Sequence, residues 1–189
     1  MPFEVALAIP PGALGAATAG PVAAFDAIYA DAFPVVWRTL RRFGVEEAQL
    51  DDAAQDVFLV VHRRLPEFEG RSTVRTWVVG IAVGVARNYR RSARRRATEP
   101  LHEEPAASRP LAAEERTDAA RAARLVRRLL GEMDPDRADV FVLGELEQLT
   151  APEISVALGV NVNTVYSRLR AARRDFEDAL ARHRASRPE

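Results

Sequence analysis

The chain has 189 residues, 48% of them hydrophobic, enough for one or two domains whose cores need no metal or disulfide staple. Cysteine is absent, which excludes disulfides, thiolate zinc sites and thiol nucleophiles and favours a reducing compartment. The 27 basic residues, all arginine, balance 27 acids, yet Arg71 to Arg96 holds eight arginines and no acid while Glu132 to Glu153 holds seven acids and one arginine, so a formally neutral molecule can still present a basic stripe.

Residues 1–20 are apolar and rich in Ala, Gly and Pro, but they lack a basic stretch, contain Glu4 and are broken by Pro10 and Pro11. They read as a flexible extension in preference to a cleaved signal peptide. No other apolar run approaches the roughly 20 residues that a membrane span needs, so no membrane insertion is expected.

From Phe25 onward, apolar residues recur at helical spacing and strand signals are scarce, so the expected fold is all-α. Phe25, Ile28, Tyr29, Phe33, Val36, Trp37 and Leu40 form the first stripe, in which Pro34 is expected to open a second helical segment and Gly44 to end it. A second helix, capped by Asp51 or Asp52, runs to about Leu65; it buries Ala54, Val57, Phe58 and Val61 and shows Gln55, Asp56 and Arg63. After the loop Pro66 to Gly70, Ser72 or Thr73 caps a third helix carrying Val74, Trp77, Val78, Ile81, Ala82, Val85 and Tyr89, which ends in an arginine run. Gly80 and Gly84 each cost this helix about 1 kcal/mol of propensity, which suggests close packing of a neighbouring helix.

Residues 97–118 shift to Pro, Glu, Ala and Ser and read as a linker. Beyond them the sequence predicts a helix from Ala119 to Met133, a break at Asp134-Pro135, a helix from Pro135 to Leu146, and two short helices. Thr150-Ala151-Pro152-Glu153 has the spacing of a capping box, Gly159 can take a left-handed turn, and Asn161 caps the next helix. Short helix, glycine turn and second helix make a helix-turn-helix. With Val165, Leu169, Ala172 and Phe176 inward, Asn163, Ser167, Arg170 and Arg174 point away, flanked by Thr164 and Tyr166. Short hydrogen-bonding side chains followed by arginines suit a reader of the major groove. The bland alternative is the solvated face of a bundle.

The basic segment from Arg71 to Arg96 admits two readings as well: a solvated helix, or a phosphate-tracking stripe interleaved with Phe68, Trp77 and Tyr89. The helical phase of Trp77 favours a core position.

From Phe25 to Leu180 the chain resembles a sigma factor of the sigma-70 family, of the small extracytoplasmic-function type that keeps only sigma regions two and four. Asp51-Asp52-Ala53-Ala54-Gln55-Asp56-Val57-Phe58 resembles the family's core-polymerase-binding helix. Phe68-Glu69-Gly70-Arg71-Ser72-Thr73-Val74-Arg75-Thr76-Trp77 resembles its promoter-melting segment. Asp134-Pro135-Asp136-Arg137, Leu149-Thr150-Ala151-Pro152-Glu153-Ile154 and Thr164-Val165-Tyr166-Ser167-Arg168-Leu169 resemble its reader of the minus-35 element. Gly84 and Asn88 stand where the family usually carries Asn and Asp in its minus-10 helix, which leaves the promoter sequence unspecified.

The resemblance implies four segments: the extension 1–20, a region 2 bundle over 21–96, a linker over 97–118 and a region 4 helix-turn-helix over 119–185. It implies that Asp52, Gln55, Asp56 and Phe58 dock on bacterial core RNA polymerase. Phe68, Gly70, Arg71 and Ser72 would hold a flipped base of the melted minus-10 strand, with Arg75, Arg87, Asn88, Arg90 and Arg91 along it. Asn163, Thr164, Tyr166, Ser167, Arg168, Arg170 and Arg174 would contact the minus-35 duplex. The linker acids Glu99, Glu103, Glu104, Glu114 and Glu115 would either mimic nucleic acid near the RNA exit path or belong to a plain tether. A cytoplasmic location and an anti-sigma partner are also implied.

No paired histidines, Ser-His-Asp set or Gly-rich phosphate loop is visible, so neither a catalytic site nor a cofactor or metal is expected. The rival from another class is a dimeric helix-turn-helix regulator that acts without polymerase, which leaves the first domain unexplained.

Overall fold

The computed structural model describes residues 21–98 and 118–186. The extension 1–20 and the linker acids Glu99, Glu103, Glu104, Glu114 and Glu115 lie outside these residues. Seven α-helices occur among the described residues: α1 (Pro21–Arg42), α2 (Leu50–Arg64), α3 (Val74–Thr98), α4 (Asp118–Gly131), α5 (Pro135–Phe141), α6 (Ala151–Leu158) and α7 (Val162–Ala185). No strand is present among them, and the all-α expectation holds.

Helices α1 to α3 form one bundle around Val36, Leu40, Leu50, Val57, Val61 and Val78, all fully buried. Pro34 does not open a new segment, because α1 is a single helix with Pro34 inside it. Proline removes the N–H that would bond the carbonyl of Ala30. Both residues face solvent, so water can serve that carbonyl and the helix continues. It ends in a Schellman turn: Gly44 takes φ +81°, the Val45 N–H reaches the Leu40 carbonyl at 3.1 Å, and both flanking side chains are buried.

Helix α2 starts one residue earlier than Asp51, and Gln49 precedes it without a side-chain cap. Asp51 and Asp52 instead lie in its first turn, where their charge complements the helix dipole. A single 3₁₀ turn, Leu65–Glu67, follows α2. Thr73 caps α3 as expected, its Oγ1 accepting from the Thr76 N–H at 3.1 Å.

The second unit comprises α4 to α7, with Leu129, Val140, Leu143, Ile154, Val165 and Ala172 inside. Asp134 opens α5 by accepting from the N–H groups of Asp136 and Arg137. Helix α5 then relaxes into a π turn, Val142–Leu146. Thr150 and Glu153 form the capping box of α6, in which Glu153 Oε2 accepts from the Thr150 N–H at 2.8 Å and from its hydroxyl at 2.7 Å. Gly159, at φ +66°, ends α6 and lets the chain turn to Asn161, whose side chain caps α7. With 24 residues, α7 is not the short helix expected.

The two units pack together, α6 lying along α3, and one apolar cluster runs through both. Gly80 is a point of close approach: a Cβ there would sit 2.9 Å from the carbonyl oxygen of Ala157. The expectation of close packing is met at Gly80 only. A Cβ at Gly84 would meet nothing within 4 Å, because that side of α3 faces solvent.

Candidate nucleic-acid interface

On α2, Asp52, Gln55 and Asp56 are exposed. Phe58, the fourth candidate for polymerase docking, is in the core at 4% exposure, because it sits on the same face as Ala54 and Val61. It forms the floor of a groove of about 640 Å³ between α1 and α2, walled by Phe25, Tyr29, Phe33 and Leu59. Tyr29 lies 4.5 Å from the Phe58 ring, centroid to centroid. Tyr29 and Leu59 remain 42% and 49% exposed, so the groove presents apolar surface beside the acidic edge of α2. Sequence reading missed the wall supplied by α1, although the repeating Phe25, Tyr29 and Phe33 marked it.

Phe68 packs on Trp77 with ring centroids 4.9 Å apart, and both are half-buried. Gly70 turns the loop at φ +69°. Arg71 pairs with Glu69 at 2.9 Å, and Ser72 bonds the Thr73 carbonyl. Arg75 is exposed on α3.

Further along α3 the basic residues are not all free of partners. Arg91 donates to Asn88 Oδ1. Arg87 and Arg90 reach across to α5, where Asp139 accepts from Arg87 Nε at 2.7 Å and from Arg90 Nη1 at 3.2 Å. Asp139 is 3% exposed. Arg87, Arg90, Arg91 and Arg95 line a cleft of about 740 Å³ closed on its far side by Pro135, Asp136 and Asp139.

A second ion cluster ties the units where no candidate was placed. Glu147, whose side chain is fully buried, accepts from Arg38 Nε at 3.2 Å and also pairs with Arg42. Arg42 donates in addition to the Leu146 carbonyl. A buried carboxylate is tolerable only when charge-paired in this way. Arg38 and Arg42 lie four apart on α1, a spacing that marks one face, but nothing local pointed to Glu147.

Tyr89 and Glu153 are among the groups whose ionisation is shifted. Burial, then the hydrogen bond to Asp56 and that residue's charge, pushes the Tyr89 hydroxyl up to about 12. For Glu153, burial works upward, but bonds from the Thr150 N–H and hydroxyl and from Thr76, with the charge of Arg75, outweigh it and hold the carboxyl below the usual range.

On α7 the expected division of faces is present. Val165 and Ala172 are fully buried, Leu169 and Phe176 pack on the core, and Asn163, Tyr166, Ser167, Arg170 and Arg174 are exposed. Thr164 is half-buried. Arg168 departs from the group, because its guanidinium turns to α5 and meets Asp136 Oδ2 at 2.6 Å. The face is therefore polar near the helix N-terminus and basic a turn or two later, the order that a major-groove reader requires.

The model of sigma-70 region 2 matches residues 28–96, and that of sigma-70 region 4 matches residues 123–176. These are the two helical units in chain order. Among curated relatives, the RNA polymerase sigma factor CnrH of Cupriavidus metallidurans is 28% identical over 171 residues, covering 83% of this chain and 86% of that protein. The ECF RNA polymerase sigma factor SigC of Mycobacterium tuberculosis is 28% identical over 144 residues, covering 73% of each chain. Of solved structures, CnrH in complex with the cytosolic domain of CnrY superposes with a TM-score of 0.67 at 24% identity, covering 89% of this chain and 94% of that one. RpoE from Bartonella quintana, in complex with the anti-sigma factor NepR, gives 0.61 at 16% identity, covering 83% and 96%; at these identities both show the fold. A free-standing regulator would match in its helix-turn-helix unit alone. With regions two and four both matched, over more than half of its length, the chain belongs to the sigma-70 family and is a sigma factor of the extracytoplasmic-function type.

Proposed function

We propose that this sigma factor engages core RNA polymerase through the α1–α2 groove and the Asp52, Gln55, Asp56 edge beside it, and holds the promoter at two places. The observation that carries this reading is the order of surfaces on one chain: an acidic, apolar-walled groove, then a basic α3, then a helix-turn-helix. Phe58 acts as the floor of the groove and sets the positions of Tyr29 and Leu59.

The loop Phe68 to Ser72, with Arg75, Arg87, Asn88, Arg90 and Arg91, follows the melted minus-10 strand. Unstacking a base costs a few kcal/mol, offset by stacking and phosphate contacts. Asn163, Thr164, Tyr166, Ser167, Arg170 and Arg174 read the minus-35 duplex, and Arg168 contributes there once released by Asp136. The chain itself catalyses nothing; polymerase supplies the chemistry. Residues 21–96 and 119–185 serve as the two working domains, joined by a tether at 97–118. The place of action is the cytoplasm, where polymerase and promoter are, and no described helix is long and apolar enough to cross a membrane. By analogy with CnrH bound to CnrY and RpoE bound to NepR, an anti-sigma protein is the third partner.

The test is reconstitution with bacterial core polymerase on a library of randomised duplex DNA, with sequencing of the transcripts. The expected result is initiation downstream of a two-part element whose upstream part loses its sequence constraint in Arg170→Ala. Transcripts no different from those of core polymerase alone would overturn the reading.

A further inference from the structure

Asp52 and Asp56 stand four apart on α2, both exposed, a spacing at which like charges share a face and repel. Among the described residues neither forms an ion pair with an arginine of this chain. The bond that does reach Asp56 is neutral in its donor: the Tyr89 hydroxyl, on α3, lies 2.8 Å from Oδ2.

That donor comes from a fixed base. The Tyr89 ring is half-buried and packs on the apolar cluster of the bundle, and a tyrosine side chain has only two torsions to fix. A hydroxyl bonded to an ionised carboxylate makes one of the stronger hydrogen bonds. Burial, the bond to Asp56 and the charges of Asp56 and Asp52 push the phenol up to about 12, so near neutrality it keeps its proton and remains a donor. A carboxylate has lone pairs on both oxygens, and the bond to Oδ2 leaves Oδ1 for a cation arriving from outside. The sequence neighbours Asn88 and Arg90 belong to the strand-tracking face, whereas the Tyr89 hydroxyl turns to α2.

We propose that Tyr89 is a positioning residue for polymerase docking: anchored by its ring, it holds Oδ2 of Asp56 so that Oδ1 faces a cationic side chain of the enzyme. It acts through Asp56 and touches no partner itself. This rests on the reading of the Asp52, Gln55, Asp56 edge as the docking surface. An acid fixed before binding has less freedom to lose on binding, so the bond contributes to affinity without adding a contact.

The test measures the affinity of the full chain for bacterial core RNA polymerase in four forms: parent, Tyr89→Phe, Asp56→Ala and the two substitutions combined. Phenylalanine keeps the ring on the core and removes only the hydroxyl, so a space-filling role for Tyr89 would leave its affinity at the parent value. Urea midpoints close to that of the parent check that each variant folds.

Tyr89→Phe should weaken binding by about threefold to tenfold, the range expected when one side chain must be immobilised on binding. Asp56→Ala should lose at least as much, and adding Tyr89→Phe to it should cost nothing further, because the hydroxyl then has no carboxylate to hold. Binding by Tyr89→Phe that is unchanged or tighter, with Asp56→Ala weakened, would overturn the proposal and leave the docking surface standing. A loss from Tyr89→Phe that persists in the Asp56→Ala background would also overturn it, since the hydroxyl then acts elsewhere. Unchanged binding by Asp56→Ala would refute docking through that acid, and the role of Tyr89 with it.

Discussion

The Tyr89 hydroxyl donates a hydrogen bond to Asp56 Oδ2 at 2.8 Å, joining the basic helix α3 to the acidic edge of α2. The two surfaces assigned to polymerase and to the minus-10 strand thereby share one bond. Burial and Asp56 together push this phenol up to about 12. An ultraviolet titration should show the Tyr89 phenol ionising well above the ordinary value of about 10. Asp56→Asn should bring it down only part of the way, because burial remains. The raised value contributes stability that is fully present below the phenol's ordinary pKa of about 10 and is lost as pH rises toward 12.

The capping box gives the opposite dependence. Glu153 is held below the usual carboxylate range against the effect of its own burial. Its contribution is present above an unfolded pKa of about 4.3 and is lost as pH falls through the lower folded value. In urea unfolding, Glu153→Gln should lose stability near neutrality and show a flatter acid limb than the parent. Asn161→Ala, which removes the cap of α7, should cost about 1 kcal/mol with no change in that limb.

Arg170→Ala should weaken binding of promoter duplex by polymerase carrying this factor by about 1–3 kcal/mol and relax specificity in the minus-35 element. Affinity for polymerase itself should stay the same. Arg168→Ala should cost less, because Asp136 already holds that guanidinium. Electrophoretic mobility shifts at several salt concentrations would compare the two.

Leu143 is fully buried within the π turn that Glu147 follows. Leu143→Ala should destabilise the fold by about 2–5 kcal/mol, read from its urea midpoint. It changes no surface assigned to DNA or polymerase.

The parts of this molecule that were legible in the sequence are those governed by local chemistry. Thr150 and Glu153, Gly159 and Asn161 announce the helix-turn-helix because caps and left-handed turns depend on neighbours in the chain. The inward phase of Val165 and Ala172 on α7 was equally plain. Pro34 misled because the penalty of a proline inside a helix depends on whether water can reach the carbonyl that it leaves unbonded. Asp51 and Asp52 misled in a smaller way, since good capping residues also suit a first turn. What could not be read was long-range pairing. Asp139 looked like one more acid in an acidic segment, and only the approach of α3 makes it the partner of Arg87 and Arg90. Phe58 was placed correctly in the core by its helical phase, and its role as a groove floor required the aromatic wall of α1.

The central claim, that this chain works as a polymerase-bound sigma factor docked through α2, is tested most directly by the affinity of the full chain for bacterial core RNA polymerase. The comparison is with Gln55→Ala, Leu59→Ala, a double variant of two exposed residues on the groove rim. The account predicts tight binding by the parent chain and a loss of at least tenfold in the variant, a difference of about 1.4 kcal/mol. Tight binding left unchanged by the variant would contradict the docking surface, and no binding by the parent chain would contradict the account as a whole.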